Sequence, residues 1–204
     1  MPPPIFETLR LIVRRLTEGD IEELITVHAD ADAMRFVGDG EPLSRERCAE
    51  WVEVTRRNYA TRGYGMTALV LRETGEVVGF CGLVHPGGQP GAELKYALKR
   101  TFWGRGLATE AAYAMLDYGV RELGLSKVIA TIYPDNIASE RVLRKEWSFW
   151  KIARTTTAPS PASSPGILPA SHEIPPPHRA PRDQPDAGQV DVCDRPGTPI
   201  SRKL

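Results

Sequence analysis

The chain has no surplus of either charge, since its 204 residues carry 26 lysines and arginines against 26 aspartates and glutamates. Proteins that grip nucleic acid through its phosphates need a basic field, so DNA and RNA are not expected partners. Cysteine is scarce: Cys48, Cys81 and Cys193 form an odd set with no disulfide or metal spacing and no histidine cluster beside them. A disulfide framework is excluded, no metal is expected, and a reducing cytoplasm fits best. Long apolar runs are missing as well. No stretch approaches the roughly 20 apolar residues of a membrane helix, and the opening MPPPIFETLR has no apolar export core. A cytoplasmic protein with no membrane partner is expected.

A further absence divides the chain. From Thr155 to Leu204 there is no Phe, Tyr or Trp, while eleven of the 18 prolines fall there. Such a segment cannot bury enough apolar surface to offset an ordering cost of about 1 to 2 kcal/mol per residue. Residues 155–204 are therefore expected to be a disordered Pro-rich tail. Its PPPHRAP run has the composition of a polyproline ligand.

What remains upstream alternates between strand and helix patterns. Leu9 to Leu16 alternates as a strand, and a helix follows through Asp20 to Ala29, with Thr17 or Asp20 near its start. Ser44 is placed to cap a longer helix, whose Cys48, Val52, Thr55 and Tyr59 share one face. Met66 to Glu73 and Val77 to Val84 flank a Thr74-Gly75 turn and read as a hairpin. Ala92 to Leu98 is a fourth strand. Ala108, Ala111, Ala112, Met115, Gly119 and Leu123 form a small-residue stripe on a helix able to lie close to a sheet. Lys127 to Tyr133 is a fifth strand, Asn136 to Lys145 a short helix, and Phe149 to Arg154 a sixth strand.

Between the fourth strand and the striped helix lies TFWGRGLATEA, Thr101 to Ala111. Backbone N–H groups in a first helical turn have no intrahelical partner, and the helix dipole adds partial positive charge. Glycines there let an anion reach the backbone, so a phosphate or pyrophosphate is one reading and a tight turn the other. A Walker loop would need Gly-Lys-Ser/Thr. A dinucleotide fold would need its glycines after the first strand, with an acidic residue about 20 further on. Neither pattern is present.

Trp103-Gly104-Arg105-Gly106-Leu107-Ala108-Thr109-Glu110-Ala111, preceded by AELKYAL and followed by PDNIASERVL, resembles the GNAT superfamily of N-acetyltransferases, and within it the ribosomal-protein (RimJ/RimL) type. The likeness runs from about Leu9 to Lys145. The superfamily at large has Gln or Arg where this chain has Trp103. The resemblance implies an α+β GNAT fold, a mixed central sheet flanked by helices, with residues 8–154 as the acetyltransferase domain. It implies that Leu98, Trp103, Gly104, Arg105, Gly106, Leu107, Ala108, Thr109 and Asn136 bind acetyl-CoA, the pyrophosphate at the loop and the pantetheine between the fourth and fifth strands. Asn136 is independently a good helix N-cap.

An amine acceptor arrives protonated and must lose a proton before attacking a thioester. Glu93 is the leading candidate base, the alternative being a solvent-facing strand residue paired with Lys95. His85, in the HPGGQP loop, is a lesser candidate. Many members of the superfamily carry a tyrosine acid seven residues after the helix-opening asparagine, where this chain has Leu143. The resemblance implies Ser139 in that role. Asp30 to Glu41, with four acidic residues, corresponds to the border of the acceptor cleft and suits a cationic amine, whether a protein N-terminus or a small molecule. A monomer or homodimer is expected. A non-catalytic acyl-coenzyme A binding module and a plain structural domain are the competing readings.

The resemblance also implies a Leu-Gly-Phe turn and two closing strands after the last helix. Glu146-Trp147-Ser148-Phe149-Trp150 breaks that pattern. A shifted reading frame after Lys145 is expected, with a natural Pro-rich extension as the alternative. On this view the last strand or strands are missing and the fifth strand presents a bare edge.

Overall fold

A computed structural model describes residues 2–36, 42–133, 135–145 and 190–192. Among them, seven strands form one sheet in sequence order: β1 (Pro4–Glu7), β2 (Leu11–Arg15), β3 (Met66–Leu71), β4 (Val77–Val84), β5 (Ala92–Leu98), β6 (Val128–Ala130) and β7 (Val190–Val192). Every neighbouring pair is antiparallel except β5 and β6, which run parallel. Helices α1 (Ile21–Ala29), α2 (Ala31–Met34) and α3 (Arg45–Arg62) precede β3, α4 (Leu107–Arg121) joins β5 to β6, and α5 (Ile137–Lys145) follows β6.

Strand alternation sorts side chains into two cores. One face of the sheet buries Leu11, Val13, Leu69, Leu83, Leu94 and Leu98 against Leu107, Ala111, Met115 and Leu116 of α4 and Leu143 of α5. The opposite face buries Met66, Ala68, Phe80 and Ala97 against Leu24 and Val27 of α1 and Cys48 and Val52 of α3. The result is a mixed sheet between two helical layers. The small-residue stripe lets α4 lie close, because a Cβ on Gly119 would come within 2.9 Å of Leu83 Cδ1. Ser44 caps α3 by accepting the Arg47 N–H at 3.3 Å. The turn before α1 is fixed by Asp20, which is buried, takes the Thr17 N–H at 2.7 Å and grips Arg14 through two hydrogen bonds of 2.6 and 2.8 Å.

Four differences from the sequence expectations stand out. β1 has no counterpart in them; its PIFE is too short for periodicity, and it forms by pairing with β2. Acidic Asp30-Ala31-Asp32 opens a short helix, α2, whose start is capped by Asp30. The fifth expected strand shortens from Lys127–Tyr133 to Val128–Ala130. Its outer edge is not bare, because Val128, Ile129 and Ala130 pair with Val192, Asp191 and Val190. The expectation of a wholly disordered tail with no strand is corrected to that extent. Val190 and Val192 are the only two valines beyond Thr155, and β-branched residues at alternate positions suit a strand. The expected strand Phe149 to Arg154, and the remainder of the tail with its PPPHRAP run, lie outside the described residues.

Candidate active site

The site is built on a fork. β5 and β6 pair at only two positions, Ala92 with Val128 and Glu93 with Ile129. Beyond them β5 continues to Leu98 still paired with β4, while β6 leaves it. The β6-facing backbone groups of Leu94 to Leu98 therefore lack a ladder partner, which leaves an opening edged with hydrogen-bonding groups. At the root of the fork the strands are close: a Cβ on Gly91 would stand 2.5 Å from Ile129 Cδ1.

The glycine loop lies at the far end of β5. Leu98 is buried and its carbonyl accepts the Trp103 indole N–H at 2.8 Å, which holds Trp103 against the strand end although the residue is 47% exposed. Gly104 and Gly106 have φ of +73° and +77°, a left-handed conformation that a side chain would strain. No neighbouring atom lies within 4 Å of a Cβ built on Gly104, so the backbone angle and not crowding calls for glycine there. Gly106 caps α4, and the first intrahelical bond runs from the Glu110 N–H to the Gly106 carbonyl at 3.1 Å. The N–H groups of Leu107, Ala108 and Thr109 have no intrahelical partner. Leu107 is buried in the α4 core, and the Arg105 guanidinium lies over Phe102, 5.1 Å from the ring centre.

A clamp that the sequence did not reveal sets the shape of this loop. Arg10, at the end of the β1–β2 turn, donates from Nη1 to the Arg105 carbonyl at 2.7 Å and from Nε to Glu110 Oε2 at 2.7 Å. Glu110 Oε1 accepts the Thr8 hydroxyl at 2.6 Å and the Arg10 amide at 2.8 Å. Burial alone would raise the Glu110 pKa, but these hydrogen bonds and the adjacent guanidinium outweigh it and hold the carboxyl below the usual glutamate range. An open groove beside the clamp, lined by Phe6, Thr109 and Tyr113, lies on the outer side of α4.

Across the fork, α5 begins at Asn136, whose Oδ1 accepts the Ser139 N–H at 3.0 Å. Asn136 is thus a helix cap. Ser139 is partly buried in the first turn, and Tyr96 on β5 buries a hydroxyl that has no hydrogen-bond partner. Tyr96 is a residue the sequence reading passed over. Leu94, Tyr96 and Leu98 alternate as a core-facing row, and nothing local distinguishes the middle one.

Glu93 sits at the root of the fork on the other face of β5. It is buried at 3% exposure, pairs with Lys95 and accepts a hydrogen bond from Gln89 Nε2 at 3.1 Å. The expected alternative of a solvent-facing Glu93 is corrected, while its pairing with Lys95 is present. Glu93 and Ser139 are not brought together. His85 is held at both ring nitrogens, Nε2 by the Tyr64 hydroxyl at 2.7 Å and Nδ1 by the Gln89 carbonyl at 2.8 Å. In the acidic segment, Asp30 and Asp32 face Arg100, with Asp32 in direct contact, so part of that negative charge is already matched; residues 37–41 lie outside the described residues. Among the described residues no group of His, Cys, Asp and Glu is placed to hold a metal ion, and no helix is long and apolar enough to cross a membrane.

A forked parallel pair with a glycine loop opening the intervening helix is matched at family level. The profile of the Acetyltransferase (GNAT) domain matches residues 10–146. The chain belongs to the GNAT family of N-acetyltransferases. The uncharacterized N-acetyltransferase YoaA of Bacillus subtilis (strain 168) is 31% identical over 144 residues, 70% of this chain and 81% of that one. An acetyltransferase from Agrobacterium tumefaciens str. C58 superposes with a TM-score of 0.68 at 24% identity, covering 96% of both chains. RimL, a ribosomal L7/L12 alpha-N-protein acetyltransferase solved in complex with coenzyme A, superposes with a TM-score of 0.65 at 16% identity, covering 93% of this chain and 96% of that one. At such identities the structural likeness shows the GNAT fold, with its mixed sheet and flanking helices. Family membership brings acetyl transfer from acetyl-coenzyme A to an amine.

Proposed function

We propose that this GNAT enzyme acetylates a primary amine of the ribosomal-protein type of acceptor, a protein N-terminus, or of a small molecule with the same exposed amine. The observation that carries the donor assignment is the fork. A slender ligand with amide groups, such as pantetheine, would supply partners to the unladdered edge of Leu94 to Leu98, and β6 stands clear of that edge. Its pyrophosphate would lie at Gly104, Arg105 and Gly106 and on the N–H groups of Leu107, Ala108 and Thr109, where the helix dipole favours an anion. Leu98 and Trp103 form the floor between strand and loop, and Asn136 fixes the start of α5. Ser139 is assigned to the sulfur end of the cleft.

The residues fit such a donor. The first-turn N–H groups are free of helical bonds, both glycines adopt the angles that open the loop, and the Arg10 side chain stands 3.5 Å from where a Gly106 Cβ would be. Calorimetry with acetyl-coenzyme A tests this. Wild-type protein binds, and Gly106→Glu abolishes binding by adding a carboxylate that repels the phosphates in a strained backbone. Unchanged affinity in the variant refutes the loop assignment. Mass spectrometry of products from a panel of N-terminal peptides and small amines then identifies the acceptor class; acetylation of none of them favours a non-catalytic binding module.

A further inference from the structure

A primary amine already stands at the root of the fork. Lys95 leaves β5 two residues beyond Glu93, the last position at which β5 pairs with β6, and its ammonium reaches back to the Glu93 carboxylate. Alternation puts both side chains on the face where Ala97 and Phe80 pack toward α1 and α3. Glu93 is 3% exposed, while the Lys95 side chain is 37% exposed. Glu93 Oε1 touches Lys95 Nζ without taking an aligned hydrogen bond. The contact matches a buried charge but does not fix the direction in which the amine points. Nor does the neighbouring strand restrain it, because the residue opposite Lys95 on β4 is Gly82. Lys99, one turn of the pattern further on, is held quite differently, between Glu23 at 2.7 Å and Glu76 at 3.0 Å.

Length decides what meets this amine. With a pyrophosphate at Gly104 to Gly106, beyond the Leu98 end of β5, the arm of the donor runs back along the unladdered edge toward the root. From phosphorus to sulfur that arm is about thirteen bonds, a little over four residues of extended chain or roughly 14 to 16 Å. Counted back from Leu98, it ends beside Leu94 and Lys95. Resting on the acetyl-coenzyme A reading above, we propose that the enzyme acetylates its own Lys95. Nζ bonds to the thioester carbonyl carbon, the carbon–sulfur bond breaks, and its electron pair leaves with the sulfur. Of the two protons that the ammonium gives up in becoming an amide, one ends on the sulfur and the other in solvent. The modification takes the charge off Lys95 and leaves Glu93 with the Gln89 amide as its hydrogen-bond partner.

The test incubates the whole chain with acetyl-coenzyme A and no added amine, and follows it by intact mass and by peptide mapping of all six lysines. One acetyl group per chain is expected, at Lys95, about tenfold or more ahead of any other lysine because the amine is held beside the donor. Its rate constant saturates with acetyl-coenzyme A and is unchanged when the protein is diluted, the mark of transfer within one molecule. Lys95→Arg keeps a cation on Glu93 and removes the mark without moving it to another lysine. Gly106→Glu, which closes the donor loop, also removes it; a mark found on wild-type protein as purified and missing from Gly106→Glu counts equally for the proposal. Acetylation of Lys95 no faster than that of the other lysines, equal in wild type and Gly106→Glu, or slowing in proportion to dilution overturns the Lys95 assignment, while calorimetric binding of coenzyme A leaves the donor site intact. No binding of coenzyme A by wild-type protein overturns the donor reading itself.

Discussion

Replacing Glu110 with glutamine isolates the clamp that shapes the glycine loop. The isostere keeps the volume and one acceptor oxygen but removes the charge that receives Thr8 Oγ1 at 2.6 Å, the Arg10 amide at 2.8 Å and Arg10 Nε at 2.7 Å. The Arg10 side chain is 42% exposed and the Glu110 side chain 17%, so solvent screening limits the ion pair itself to less than about 1 kcal/mol. Hydrogen bonds to a charged acceptor exceed neutral ones by about half a kcal/mol or more each. Together Glu110→Gln should cost about 2 kcal/mol, a fall of roughly 4 to 8 °C in Tm for a domain of this size. The sign with pH follows from the lowered carboxyl. Its contribution is fully present above the unfolded glutamate value near 4.3 and is lost as pH falls through the lower folded value. Thermal melts of wild type and variant should therefore differ most near neutral pH and converge in acid. The variant should also bind acetyl-coenzyme A about tenfold more weakly, because Arg10 no longer holds the Arg105 carbonyl. A variant that melts with wild type at pH 7, or a gap that persists unchanged to pH 3, refutes the clamp.

His28 is buried against Trp51 and Phe80 and hydrogen-bonded to the Leu24 carbonyl at 2.6 Å; desolvation lowers its pKa more than that bond raises it. Its stabilising contribution is present above the unfolded value near 6.5 and drains away below it. Urea midpoints at pH 7.5 and 5.5 should separate less in His28→Phe than in wild type. Leu116→Ala, at 1% exposure in the α4 core, should cost about 2 to 5 kcal/mol by denaturant titration. With Lys95 and Gln89 holding Glu93, the loss of turnover in Glu93→Gln is expected to be uniform with pH. A loss concentrated near neutral pH, where the amine is protonated, would instead give Glu93 the base role.

Much of the fold was legible because it is written in local patterns. The Thr74-Gly75 hairpin, the Ser44 cap and the small-residue stripe that includes Gly119 each specify their element within a few residues, and each is found where the sequence pattern puts it. The glycine loop was legible for the same reason, since its positive-φ glycines and the helix start are adjacent in sequence. Arg10 and Tyr96 were not. Arg10 acts on a loop 95 residues away, and in the expected strand Leu9 to Leu16 it reads as one more polar position. Tyr96 alternates with Leu94 and Leu98 in the core row of β5, and nothing local marks its buried hydroxyl. β7 escaped for a related reason: three residues in a proline-rich stretch carry no period, and the strand exists only through the partner β6 supplies.

The alternation of β5 also limits how the reaction can be arranged. Glu93 lies opposite Val84 and belongs to the face packed by α1 and α3, whereas Tyr96 lies opposite Cys81 and belongs to the face packed by α4 and α5. Asp30, Asp32 and Arg100 gather beside α1 on the first of these faces, and Ser139 stands on the second. No direct contact then joins Glu93 to Ser139. On the donor reading proposed above, the opening after Glu93 and Ile129 is the place where the backbone leaves room for a ligand reached from both faces. A substitution that extended the β5–β6 ladder beyond Glu93 would leave both sets of side chains in place and close that opening, which on the same reading makes the fork a requirement of donor binding.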